Sequence, residues 1–534
     1  MRKVNLVNKE YVGIGDDEFT CGAQKKAQTP PHSWLQWTMP TSNQVVVGFH
    51  DEAGQIIFQL TGGSGALDGV SIVDMPGLGK TTLGNKVYQD PMIICHFHIR
   101  AWCRISQVYG KKEVLGRYLL VLDDVWDIAA WNALKVSFPN DANGSRILLT
   151  SRISKLALEV KPASKPLHLR QLTDDEYLEL LQKKLAERGG NPPALFLHGK
   201  HIAKGCKGLP LTVVITAGIL ANLEQDGWEE IAERLSSDTV CGTEHCKSIL
   251  ELSYKHLAHY LKPCLLYFGP FREDQEIPIW TLMRLWTAEG FVQKTEAKRI
   301  EDRAEDYIMD LIGRSLVMVD KQKSTGGIKT CRIHDLLHEF CLRKATDENL
   351  LRLRRDDAGI PNFDEPSNTR RLFIYSKARH FQKSRLFCPL LSSLVVSTQS
   401  EEYGTPYNVS SIFRIFKLLR VLDLGKINLG FVFPSEITLL VQLRYLAFAG
   451  SMNYIPSSIA NLWNLETFIL KSLHGILFLP DTVWNLQTLR CLCISGKFFD
   501  LSLAKDNLDS SSDLCNLDTI SALELDLGQS QWRS

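Results

Sequence analysis

The sequence has almost no excess of either charge: 61 Lys and Arg face 60 Asp and Glu over 534 residues, a formal net charge of +1. Such a balance gives no support to nucleic acid or an anionic membrane as the principal partner. Long hydrophobic runs are missing too. The longest, Leu209 to Leu220, contains Pro210 and Gly218 and falls short of the roughly 20 apolar residues a membrane helix needs. Met1 to Gly15 has no apolar segment of the kind that marks a secretory signal. The 13 cysteines are scattered, and only Cys491 and Cys493 lie close together. This excludes a zinc-like spacing and the disulfide framework of a secreted domain, and it fits a reducing compartment. The N-x-S matches at Asn143 and Asn408 are then incidental. No clear period runs through residues 1–43, where Pro30-Pro31 reads as loop. These absences leave a cytoplasmic multidomain chain as the expectation, with nuclear or membrane-peripheral placement open and no transmembrane segment. Length alone implies three or four domains, because single cores rarely exceed about 250–300 residues.

What is present begins at Val45. Short apolar runs (Val70–Val73, Tyr118–Leu122, Arg146–Thr150) alternate with turn signals and polar stretches, the pattern of an α/β domain with a parallel sheet. From about Leu172 to Leu342 the period becomes helical. Tyr177, Leu178, Leu180, Leu181 and Leu185 line one face of a helix over Asp174 to Leu185, and Trp280–Phe291 and Ala304–Leu316 behave similarly. Residues 346–385 are charged and mixed, and read as a connector.

The last third repeats. Leu419-Arg-Val-Leu422-Asp-Leu424 recurs as Leu443-Arg-Tyr-Leu446-Ala-Phe448, as Leu465-Glu-Thr-Phe468-Ile-Leu470 and as Leu489-Arg-Cys-Leu492-Cys-Ile494. A second marker keeps the same beat: Phe433-Pro434, Ile455-Pro456 and Leu479-Pro480, each with Ile or Val three residues after the Pro. Such spacing places apolar side chains inward from a short strand while Pro marks the convex return, which is leucine-rich-repeat arithmetic. Leu391-Leu394-Val396 and Ile520-Leu523-Leu525 read as weaker outer members.

The central motif is Ser71-Ile-Val-Asp-Met-Pro-Gly-Leu-Gly-Lys-Thr-Thr-Leu83. An apolar strand runs into Gly77-Leu78-Gly79-Lys80-Thr81-Thr82 and then a helix, so backbone N–H groups can wrap a phosphate at the positive helix end. Lys80 would reach the β- and γ-phosphates, and the Thr81 hydroxyl would ligate Mg2+. The P-loop pattern wants Gly six residues before Lys80, and that position is Asp74. A side chain there constrains the turn, and a carboxylate near a polyphosphate is unfavourable, so weakened nucleotide affinity is expected. Downstream, Arg117-Tyr-Leu-Leu-Val-Leu-Asp-Asp-Val-Trp126 has the form of a strand ending in two acids. Asp123 is placed to hold Mg2+ with its water, and Asp124 to orient or activate an attacking water as the candidate catalytic residue. Gly144–Arg152 supplies a further strand, ending in Arg152, a candidate γ-phosphate sensor.

In this order the motifs resemble the NB-ARC module of plant disease resistance proteins. Ala101-Trp102 with Ser106-Gln107, Asp123-Asp124-Val125-Trp126, Gly208-Leu209-Pro210-Leu211 and Ile333-His334-Asp335 each match a family motif, the last with Ile in place of Met. Cys264–Tyr267 through Phe271–Asp274, and Trp286–Phe291, resemble the opening of its winged-helix subdomain. Ser71–Leu83, Glu301–Val319 and Cys331–Leu342 look like the late-blight-resistance subfamily of nightshade plants. The resemblance covers residues 44 to about 500. It implies that Val47-Gly48 and Pro210 flank the adenine, that His334 touches the β-phosphate of ADP, and that Asp335 holds that loop in the resting state. Exchange of ADP for ATP would then move the winged helix away, a bistable interface biased by one phosphate and its Mg2+.

The expected architecture is therefore a P-loop NTPase α/β domain followed by helical and winged-helix subdomains and a leucine-rich-repeat solenoid. Expected bounds are an irregular N-terminal remnant without a coiled coil (1–43), the nucleotide-binding domain (44–165), a helical subdomain (166–240), a winged helix (241–345), the connector (346–385) and an incomplete repeat array (386–534). Only Val108 to Gly116 remains of the family's long crossover, so loss of a covering helix, re-pairing of a strand or poor folding is expected there. The repeats lack an obvious polar cap, and a truncated gene product is open. The function expected is an ADP/ATP-binding defence switch, with slow ATP hydrolysis as its reset and a pathogen effector or guarded host protein as partner of the repeats. Self-association or pairing with a full-length receptor is open too. With no N-terminal executor, no hypersensitive cell death is expected from this chain alone. The second reading is a nucleotide-poor decoy acting through its repeats alone, favoured by Asp74 and the short crossover.

Overall fold

The computed structural model describes residues 46–63, 65–104, 117–125, 128–135, 138, 143–156, 166–187, 194–207, 209–224, 227–237, 242–323, 326–355, 368–375, 388, 390–397, 406, 413, 415–500 and 522–526. The expectations for residues 1–43, for Ser106-Gln107, for Trp126, for Gly208, for Ile520 and for the body of the short crossover lie outside them. The chain divides into two compact units, residues 25–279 with 306–341 and residues 280–305 with 342–534.

The first unit is built on a five-stranded parallel sheet. Its strands are β1 (Asp68–Val73), β2 (Ile99–Arg104), β3 (Tyr118–Val125), β4 (Arg146–Ser151) and β5 (Leu167–His168), in the order β2-β3-β4-β1-β5. β1 is buried along nearly its whole length and β4 along all of it, which is why both read as continuous apolar runs rather than as alternation. Helices α1 (His50–Thr61), α2 (Lys80–Tyr88), α3 (Pro91–His96) and α4 (Ile128–Lys135) belong to this sheet. β2 and β3 pair in parallel along Ile99↔Tyr118 to Arg104↔Asp123. Re-pairing of a strand is thereby ruled out: β2 ends at Arg104, so the connection starts before the motif used to measure it. Counted strand to strand it spans 105–117, about the dozen residues a parallel crossover requires.

A helical layer follows: α5 (Asp174–Ala186), α6 (Ala194–Gly205), α7 (Pro210–Leu220), α8 (Gly227–Ser237), α9 (Gly242–Lys255) and α10 (Leu261–Leu266). α5 starts at a capping box, with Glu176 N–H donating to Thr173 Oγ1 and Thr173 N–H to Glu176 Oε2. Arg170 holds the Glu176 carboxyl down to about 2 through paired hydrogen bonds. α7 is largely apolar and buried at Thr212, Val213 and from Ile215 through Leu220, as befits a helix surrounded by others. It packs so tightly that a methyl group on Gly218 would lie 2.1 Å from the Arg314 carbonyl oxygen. β6 (Ile277–Pro278), α11 (Ile279–Glu289), α12 (Ile300–Gly313), β7 (Met318–Gln322), β8 (Ile328–Arg332) and α13 (Asp335–Asp347) come next, with the three strands forming an antiparallel β6-β8-β7 sheet.

The repeats form an eight-stranded sheet from β9 (Arg352–Arg355), β10 (Arg371–Tyr375), β11 (Ser393–Ser397), β12 (Val421–Asn428), β13 (Tyr445–Gly450), β14 (Thr467–Leu479), β15 (Cys491–Asp500) and β16 (Ala522–Asp526), ordered in sequence. Leu422-Leu424, Leu446-Phe448, Phe468-Leu470 and Leu492-Ile494 stack in one core. Pro434, Pro456 and Pro480 each cap a 3-10 turn (Ser435–Leu439, Ser457–Asn461, Asp481–Asn485) whose Ile437, Ile459 or Val483 is buried. Two findings differ from the sequence reading. The stretch taken as connector supplies β9 and β10, because Leu372 and Ile374 alternate toward the core while the arginines of β9 mask its apolar period. The segment around Leu523 and Leu525 pairs antiparallel to β15 rather than continuing the parallel array. An apolar alternation carries no direction, and the Pro marker that keeps the other repeats in phase is missing there.

Candidate functional site

The loop after β1 leaves the carboxyl edge of the parallel sheet, where such folds hold their ligands. Gly77 and Gly79 have φ of 81° and 100°, backbone that side chains rarely adopt. A Cβ on Gly77 would also stand 3.2 Å from Leu211 Cβ. Leu78 is buried at the turn, and α2 opens with Lys80, Thr81 and Thr82, its first-turn N–H groups available to an anion. Lys80 is 7 % exposed, and its ammonium donates to the carbonyls of Asp74 and Met75, both at 2.7 Å. Burial lowers its pKa, and the carboxylates of Asp124 and Asp335 oppose that shift.

Asp74, at the first P-loop position, has no left-handed backbone, so its side chain does not constrain the turn in the way expected. Its charge remains: Met75 N–H donates to Oδ1 at 2.8 Å, and Oδ2 lies 3.7 Å from His168 Nδ1. The affinity penalty then rests on electrostatics alone, on the order of 1 kcal/mol for a solvent-screened like charge beside a phosphate. Asp74→Gly is expected to tighten ADP binding about fivefold in a calorimetric titration. Equal affinities would remove the carboxylate from the account.

At the end of β3, Asp123 is 3 % exposed and its Oδ1 accepts from the hydroxyls of Thr81 (2.9 Å) and Thr150 (2.7 Å). With its proton on Asp123, the Thr81 oxygen keeps lone pairs for a cation, and both are hard oxygen donors of the kind Mg2+ takes. Asp124 has φ of 52° at the adjoining register slip. Arg152 grips it with two nitrogens, Nε to Oδ1 at 3.2 Å and Nη2 to Oδ2 at 2.6 Å. The same Nη2 lies 2.6 Å from Asp335 Oδ2 and 3.1 Å from Glu273 Oε1. Burial works against the charge on Arg152, yet the three carboxylates raise its pKa above the ordinary value.

Asp335 begins α13, where its Oδ1 accepts the Leu336 N–H at 2.7 Å and pairs with His334. Burial pushes its pKa up, but His334 and Arg152 outweigh that and hold it well below the usual carboxylate range. The Leu336 side chain reaches the Gly77 turn. Pro210 opens α7, and the next residue, Leu211, donates its N–H to Gly77 O at 3.4 Å. The P-loop, the start of α7 and the start of α13 therefore meet at Gly77. On the other flank, Gly48 O accepts from Lys86 Nζ at 3.0 Å, and Val47 is buried beside it. A Cβ on Gly48 would lie 2.7 Å from Glu176 Oε1, so this segment is pressed against α5.

Three residues escape the sequence reading. Glu273 lies 121 positions from Arg152, a separation no local pattern bridges. Phe49 is 2 % exposed, and its ring packs 3.3 Å from where a Cβ on Gly79 would stand. Thr150 looks like one more residue of a buried strand.

Family models match along the chain: NB-ARC domain at residues 49–117 and 114–189, disease resistance protein winged helix domain at 271–341, and leucine-rich repeat region at 402–528. The first match breaks in two at the β2–β3 crossover. Late blight resistance protein R1-A of Solanum demissum is 38% identical over 534 residues, covering 91% of this chain and 41% of that protein. A late blight resistance protein homolog of the same species, R1B-14, is 38% identical over 533 residues, covering 90% and 39%. Among solved structures, a signal transduction ATPase with numerous domains from Pyrococcus horikoshii aligns at TM-score 0.38 with 16% identity, covering 59% of this chain and 45% of that one.

Proposed function

Because this chain belongs to the NB-ARC, leucine-rich-repeat family of disease resistance proteins and spans about two fifths of the length of the curated relatives it matches, we propose that it acts as an ADP/ATP-operated switch of plant defence. The observation that carries this reading is the placement of Arg152 between Asp124 and Asp335. One guanidinium joins the acid at the end of β3 to the acid at the start of α13.

In this reading Gly77 to Thr82 and Lys80 hold the diphosphate, Thr81 and Asp123 hold Mg2+, and Val47, Gly48 and Pro210 border the adenine. Mg2+ when bound supplies charge neutralisation for the phosphates. His334 and Asp335 sense the phosphate end. A γ-phosphate competes with Asp335 for Arg152, which frees α13 and biases the winged helix toward its second position. Asp124 orients a water only after Arg152 releases it, so hydrolysis is slow and serves as reset. The repeats would carry recognition of an effector or guarded host protein. The described residues contain no helix long and apolar enough to cross a membrane, and we assign the work to the cytoplasm. Asp74 favours the second reading, a nucleotide-poor decoy acting through its repeats.

The two are separated by the nucleotide that copurifies with the chain. The switch reading expects near-stoichiometric ADP by ion-exchange chromatography, and its loss in Lys80→Ala, whose folding is checked by circular dichroism. Folded wild-type protein without nucleotide and without affinity for it would favour the decoy.

A further inference from the structure

Thr150 is the last residue but one of β4 and is 1 % exposed. Across from it the register slips: Leu122 faces Leu149 and Val125 faces Ser151, so Asp123 and Asp124 together stand opposite Thr150. A bulge of this kind leaves a backbone group outside the ladder and re-aims the side chains beside it. Here the Asp124 N–H donates to Thr150 Oγ1 at 2.8 Å, and Thr150 Oγ1 donates to Asp123 Oδ1 at 2.7 Å. A hydroxyl has one proton and two lone pairs, so both bonds are satisfied at once. The Asp123 oxygen it reaches is the one that accepts from Thr81. The amide it holds belongs to the residue at φ 52° whose carboxylate meets Arg152.

We infer that Thr150 is a positioning residue that fixes the metal-holding Asp123 and the water-orienting Asp124 as one unit through a single hydroxyl. The inference rests on the switch reading and adds to it a buried hydroxyl that acts through the two acids. Without the hydroxyl, Asp123 loses a donor that orients Oδ1 toward Thr81, and the half-buried Asp124 amide loses its partner. Lys80 and the glycine turn remain in place. The loss should therefore fall on the Mg2+-dependent part of binding and spare the rest.

The test titrates ADP and a non-hydrolysable ATP analogue into the full chain, with Mg2+ and with EDTA. Thr150→Val removes the hydroxyl at constant volume, Thr150→Ala removes it and leaves space, and Thr150→Ser keeps it. For Val and Ala the gain in affinity that Mg2+ confers is expected to fall about tenfold, while ADP affinity in EDTA changes less than about twofold. Ser is expected to keep the wild-type Mg2+ response. If Val and Ala both keep that response, or both lose ADP in EDTA as well, Thr150 serves packing or folding and the inference is overturned. A wild-type chain whose binding does not respond to Mg2+ would refute the metal assignment of the switch reading and this inference with it. Should wild type respond and the hydroxyl-free variants match it, the switch reading stands and only the role of Thr150 falls.

Discussion

Replacing Asp335 with Val is expected to release bound ADP ten- to a hundredfold faster than the unaltered chain. Asp335 is 11% and Arg152 29% exposed at the side chain, and they stand 2.6 Å apart. Removing one partner of a fully buried pair costs about 3–5 kcal/mol. Partial exposure and the carboxylates of Asp124 and Glu273, which stay with Arg152, reduce that to roughly 1.5–3 kcal/mol. Each 1.4 kcal/mol is about a factor of ten in the constant that depends on it. Displacement of a fluorescent ADP followed by stopped flow reads the rate. Asp335→Asn keeps an acceptor for the Leu336 N–H and loses only the charge, so it should resemble Val. An Asn variant with the wild-type rate would place the restraint in the helix start instead of the ion pair.

Gly218→Ala is expected to produce the largest loss of stability of any single methyl addition in the described helices. The new Cβ would stand 2.1 Å from Arg314 O and 2.7 Å from its carbonyl carbon, both backbone atoms with no rotamer to escape into. Overpacking a core by a methyl group typically costs about 1–3 kcal/mol, and a clash with fixed backbone lies at or above the upper end. α7 must then move away from the loop at Arg314, and α7 also carries Leu211 against Gly77. The variant should therefore lose nucleotide affinity along with several degrees of melting temperature. Gly54→Ala in α1 is the matched control, since nothing lies within 4 Å of its added Cβ. It should be neutral or stabilise by about 0.5–1 kcal/mol. Equal melting points for the two variants would contradict the packing described here.

Much of the fold was legible because its signals are local. The turn at Gly77 to Thr82, the buried run of β4 and the repeat beat from Leu419 to Ile494 each encode their own geometry within a few residues. An apolar run closing on two acids implies a strand with Asp123 near its end, and the structure has β3 there with Asp123 Oδ1 accepting from the Thr81 hydroxyl. What failed depends on distance or direction. β9 hides its apolar positions behind arginines, so its membership in the sheet depends on its neighbour β10. The direction of β16 is not encoded in an apolar alternation. The strand that ends in Arg152 carries no sign of Glu273 and Asp335, which share its guanidinium from more than 120 residues along the chain. A side chain at position 74 is expected to constrain the turn, yet Asp74 is not in the left-handed region where such a constraint would act.

The most direct test is calorimetric titration of the nucleotide-stripped, folded chain with ADP and with ATP in the presence of Mg2+. The account predicts saturable one-to-one binding at micromolar or tighter affinity, at least about a hundredfold weaker in Lys80→Ala. Folded protein that takes up neither nucleotide would contradict it, and would leave the repeats as the working part of the molecule.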